Sequence, residues 1–166
     1  MPKFSNDPQW RLLFDFLDEA FRKKSWHGTN LRGSIRGLTA TQAVWRPSAN
    51  RKSIWEHVLH TAYWKYAVRR RLTGQKRGSF PLKGSNWFKI PSPPTEKAWR
   101  EHVALLEDQH AALREAVASL SSRQFGAKIA GSKLTNDFLI RGIAFHDIYH
   151  TGQIQLLKRM QARAKA

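Results

Sequence analysis

The sequence contains no cysteine. That excludes disulfides, zinc ribbons, a cysteine nucleophile and a thiolate ligand supplied by the chain, so any metal must rest on nitrogen and oxygen. No segment approaches the ~18 uninterrupted apolar residues of a membrane span. Met1-Pro2-Lys3-Phe4-Ser5-Asn6-Asp7 lacks the apolar stretch of a secretory signal, and a soluble, cytoplasmic protein is the expectation. Acidic residues are scarce, 12 Asp and Glu against 29 Lys and Arg, for a formal charge of +17. Such a field attracts nucleic acid, anionic lipid or an anionic metabolite. The charge is dispersed, however, with short clusters at Arg69-Arg70-Arg71 and Lys158-Arg159. No zinc finger, aromatic RNA-binding signature or helix-turn-helix pattern accompanies it. Solvated helix faces are therefore expected, and nucleic acid is not favoured as a partner.

What is present is aromatic bulk and helical period. The chain has 166 residues with seven Trp and nine Phe, enough for one domain over residues 1–166 with a substantial core. No strand pattern and no internal repeat is evident. Asp7-Pro8 is an N-cap followed by proline at the first helical position, and Trp10, Phe14, Leu17 and Phe21 follow at helical spacing. This helix falters at Ser25-Trp26-His27-Gly28, with His27 read as solvated, and a shorter piece follows over residues 30–36. Thr39-Ala40-Thr41-Gln42 and Ser53-Ile54-Trp55-Glu56 match capping boxes; the second opens a long helix ending near Gly74. Residues 75–94 are too rich in Gly, Pro and Ser to be regular, which suggests a crossover or a lid. Trp87 and Phe88 either anchor that segment over a pocket or simply pack it down. Thr95 starts a third long helix, residues 121–131 form a connector, and a last helix begins at Leu134. The expectation is an all-α four-helix bundle with a broken first helix and a long crossover loop between helices two and three.

Histidines interrupt the inner seams of these helices. In the last one, Leu139, Ile143, His146, His150, Ile154 and Leu157 share a stripe, and residues four apart stack on one face. Two imidazoles thus stand where leucines belong. They are either core histidines bonded to neighbouring helices or ligands of a divalent ion such as zinc or nickel, which needs three or four donors. A third donor comes from His57 or His60, which flank the seam containing Thr61, Trp64, Ala67 and Val68; spacing does not choose between them. His110, in the stripe Trp99, Val103, Leu106, His110, Leu113, Val117, Leu120, is a candidate fourth ligand, a donor behind a ligand, or a satisfied core histidine. His102 is read as solvent-facing. Asp147 points about 100° from His146, so it orients a ligand on another helix, meets an adjacent chain or lies in solvent.

The run Ser53-Ile54-Trp55-Glu56-His57-Val58-Leu59-His60, with Trp45-Arg46-Pro47 before it and His146-Asp147-Ile148-Tyr149-His150-Thr151-Gly152-Gln153-Ile154 near the end, closely resembles the DinB-like (DinB/YfiT) superfamily. The resemblance extends over essentially the whole chain. It implies a metal triad of His60, His146 and His150, with His57 outside the usual ligand position. It further implies zinc, nickel or a similar ion, a low-molecular-weight thiol as cosubstrate in a number of relatives, and a homodimer. Three neutral nitrogens with an open fourth position describe a catalytic rather than a structural site. The resulting expectation is a metal-dependent enzyme acting on a small molecule, anionic if the charge serves the substrate, by thiol transfer or metal-assisted hydrolysis. The alternative is a non-catalytic basic module for nucleic acid or another polyanion, with a structural or vestigial metal. Tyr149, Gln153, Trp64, His57 and His110 are the residues placed to support ligands or touch substrate.

Overall fold

The computed structural model describes residues 7–164; residues 1–6, which carry most of the N-terminal segment read above as no signal, lie outside them. Among the described residues there are seven helices and no strand: α1 Pro8–Phe21, α2 Leu31–Ile35, α3 Ala40–Val44, α4 Ile54–Thr73, α5 Glu96–Ala118, α6 Ser122–Phe125 and α7 Asn136–Arg163. The fold is all-α. No described helix is long and apolar enough to cross a membrane.

The helix starts follow from local chemistry. Asp7 Oδ1 accepts from the backbone N–H of Gln9 at 2.8 Å and of Trp10 at 3.3 Å, with Pro8 at the first helical position. Both expected capping boxes form, Thr39 with Gln42 and Ser53 with Glu56. The second matters most, because α4 carries His57 and His60. Glu56 is buried there and receives Lys52 at 3.1 Å and Arg46 at 2.8 Å. The far end of α4 closes on Gly74, whose φ of +70° few other residues adopt cheaply.

α4 packs against both α5 and α7, and α1 packs on α7. α1 also reaches α5 through Arg114, whose guanidinium grips Asp18 at 2.8 and 3.0 Å, and through Phe21, which stacks on His110 at 3.8 Å. One apolar cluster gathers Trp55, Leu59, Leu106 and Ile154; a second gathers Phe14, Leu113, Val117 and Ile140. Full burial of a leucine or isoleucine of this kind stabilises by about 1.5–3 kcal/mol. Lys65, His110 and Asp147, on α4, α5 and α7, are polar side chains buried with these clusters.

Two boundaries differ from expectation. The connector holds a short helix, α6, started by a Ser121–Gln124 capping box. α7 begins at Asn136 rather than Leu134, because the Ile129 N–H donates to the Leu134 carbonyl at 2.9 Å and Lys128 pairs with Thr135 in an isolated bridge, keeping that chain extended. The buried arc of α7 is also wider than one stripe, since Ile140, Ala144, Asp147 and Thr151 are buried beside Ile143, His150, Ile154 and Leu157.

Candidate metal centre

α4 and α7 cross so that His60, His146 and His150 face one point. The Nε2 atoms of His60 and His150 each lie 3.1 Å from His146 Nε2, and one nitrogen of each ring falls within 4.8 Å of the other two. A tetrahedral ion with bonds of ~2.0–2.1 Å holds its ligand nitrogens about 3.3 Å apart, so the spacing of the rings is that of a ligand set. His57 and His110 stand outside this group.

The far side of two rings fixes their protons. His60 Nδ1–H donates to the Asn86 carbonyl at 2.9 Å; a carbonyl only accepts, so the neutral ring is bare at Nε2. His150 Nδ1–H donates to Gln153 Oε1 at 3.0 Å, which leaves its Nε2 bare as well. His57 Nδ1 lies 3.0 Å from that same His150 nitrogen and can only accept from it. His57 therefore sits behind His150 rather than among the three converging rings. His146 Nδ1 is buried with no partner among the described residues.

Burial keeps the rings neutral. It pulls His57 and His146 down to about 3 and His150 to about 4, with the neighbouring histidines adding to the effect. His60 is lowered too, again mainly by burial. Several lone pairs crowded into a shielded space repel one another unless a cation lies among them, and neutral imidazole is the form that binds metal. The donor set thus fits zinc, nickel or a similar ion.

The crossover segment roofs the site. Trp87 stacks on His60 at 4.0 Å and meets His57 edge-on at 5.4 Å, so it lies over the pocket. Phe88 instead is buried against Tyr63 and Phe80 and packs the segment down. Trp64 Nε1–H donates to Asn86 Oδ1 at 3.0 Å. Asn86 has a φ of +65°, a left-handed conformation that Asn tolerates better than most residues. It therefore ties its carbonyl to His60 and its side chain to Trp64. A cavity of about 430 Å³ opens on the trio, lined also by Trp64, Tyr149 and Gln153.

The model of the DinB superfamily matches residues 25–154. The chain belongs to the DinB superfamily. Comparison with curated proteins and with solved structures gave no match. DinB-superfamily proteins bind metal, and the convergent histidines lie within the matched span.

In this DinB-superfamily chain the structure brings Tyr149, Gln153, Trp64 and His57 to the trio but not His110. That ring stacks on Phe21, neither nitrogen has a partner among the described residues, and burial pushes it down to about 2. His102 is not solvent-facing: it is half-buried and accepts from Trp55 Nε1–H at 2.7 Å. Asp147 is fully buried in an ion pair with Lys65, none of the three roles expected of it. Sequence reasoning missed Asn86 and Lys65. An Asn in a loop rich in Gly and Pro is a fair signal for a left-handed turn; nothing local signals that Lys65 turns inward.

Proposed function

We propose that His60, His146 and His150 hold a divalent ion, zinc or nickel, and that the protein is an enzyme acting on a small molecule by thiol transfer or metal-assisted hydrolysis. The observation that carries this reading is the convergence of the three Nε2 atoms on one point beside an open cavity, with the opposite nitrogens of His60 and His150 fixed by Asn86 and Gln153. A divalent ion there supplies Lewis acidity and makes a thiol or water more acidic near neutral pH. Asn86 and Gln153 hold ring orientation and tautomer. Trp87 shields one side of the histidines from solvent, while Trp64 and Tyr149 wall the cavity where a substrate would lie. Because the chain lacks cysteine, a reacting thiol must come from a small molecule.

Cobalt(II)-substituted protein tests the choice. A thiolate-to-cobalt charge-transfer band on adding glutathione or free cysteine supports thiol transfer. A spectrum that ignores both thiols but responds to azide supports hydrolysis. One that ignores all three describes a closed, structural metal and supports the non-catalytic basic module, which the net charge of +17 would favour.

A further inference from the structure

A second concavity lies beside the histidine trio rather than on it. A cavity of about 560 Å³ is walled on one side by the last turns of α4 and on the other by the crossover, and it shares Trp64 and Asn86 with the cavity over the histidines. Four cations line it: Arg70, Arg71, Arg77 and Lys83. None of them meets a carboxylate within 4.0 Å among the described residues. Arg70 donates to the Gln75 carbonyl at 3.3 Å and Arg71 lies over the Trp64 ring at 5.9 Å; both contacts position a guanidinium without neutralising it. In contrast, Arg32, Arg46, Arg114 and Lys52 each have an acidic partner. The aromatic rings of Tyr63, Tyr66 and Phe80, mutually 5.4–6.0 Å apart, supply the apolar part of the lining.

Unneutralised arginines in a walled, partly aromatic cavity are suited to an oxyanion on a small molecule, because a guanidinium meets carboxylate or phosphate with paired hydrogen bonds. A nucleic acid backbone instead tracks a groove with repeated contacts. We propose that this cavity is an oxyanion subsite, and that the substrate of the neighbouring histidine centre is an anionic small molecule whose phosphate or carboxylate lies among Arg70, Arg71, Arg77 and Lys83 while its reacting end passes the Trp64–Asn86 bridge. The substrate class rests on the metal-enzyme reading above; the subsite itself does not.

The probes are phenyl phosphate and phenylacetate, titrated calorimetrically into the full chain at fixed ionic strength. The variants are Arg70→Gln/Arg77→Gln and, in case the α4 end is disturbed, Arg77→Gln/Lys83→Gln. Lys128→Gln/Lys133→Gln removes the same charge from exposed sites elsewhere. The subsite predicts roughly tenfold weaker binding of the preferred probe in both cavity variants, against a change within about twofold in the control. Which probe binds better separates phosphate from carboxylate. Equal weakening in all three variants overturns the subsite, as does a short DNA duplex that binds wild type and both cavity variants alike while displacing the probe. His146→Ala separates the two readings. Probe binding that survives in a wild type found to hold no metal, and in His146→Ala, retains the subsite and removes the enzyme; a metal-loaded wild type that binds neither probe does the reverse.

Discussion

His60 and His110 are both histidines on seams that are otherwise largely apolar, and their surroundings make them different chemical objects. His60 has a carbonyl behind it and two imidazoles before it, so one proton position is compelled and a lone pair is aimed. His110 has an aromatic face and two nitrogens with no partner among the described residues. Both are held neutral by burial, and that has a consequence for stability. His57, His110, His146 and His150 are pushed to about 3, 2, 3 and 4 from an ordinary value of 6.5. Below pH 6.5 the unfolded chain takes up protons that the folded chain refuses, so stability rises with pH and is lost as pH falls from about 6.5 toward about 4. Each such group contributes up to about 1.4 kcal/mol per pH unit. Asp147, raised by burial to about 6, opposes this with one proton. Urea midpoints of metal-free protein are expected to fall steadily from pH 7 to pH 5, and His110→Leu should flatten that slope by about one proton's worth; a flat wild-type profile contradicts the assignment. The period of the chain made these seam histidines visible. It could not sort converging histidines from stacked core ones, because the sorting is done by Asn86, Gln153 and Phe21, two of them distant in sequence from the ring they fix.

α4 and α7 depend on each other through more than the histidines. Lys65 and Asp147 form a fully buried ion pair between them. Burial lowers Lys65 and raises Asp147, while their mutual attraction opposes both shifts. Removing one partner strands a charge in the core. Lys65→Met should therefore cost about 3–5 kcal/mol in urea denaturation, and Lys65→Met with Asp147→Leu should recover most of it. A single substitution costing under about 1 kcal/mol contradicts a charged, coupled pair. The caps and proline that begin α1, α3 and α4 were legible because they act within four residues. α6 has the same local signal in Ser121-Ser122-Arg123-Gln124, but its four residues show no period to make a helix of it. Lys65 was not legible, because an inward lysine is sensible only with a carboxylate on another helix, 82 residues away.

Across the whole molecule, two apolar clusters hold the helices together, and the buried histidines and the Lys65–Asp147 pair lie on the same helices. Much of the positive charge is structural in use: Arg114 clamps Asp18, and Lys158 donates to the Ser34 carbonyl at 3.0 Å. Arg70, Arg71, Arg77 and Lys83 line the cavity where the crossover meets α4, close to the histidines. Whether the three converging histidines bind metal is read by elemental mass spectrometry on untagged protein. Wild type and His110→Ala are expected to hold about one equivalent of zinc or nickel, with His60→Ala and His146→Ala holding almost none. A wild type that takes up no metal after supplementation, or a His60→Ala variant that keeps its full equivalent, rules out a metal site at these histidines.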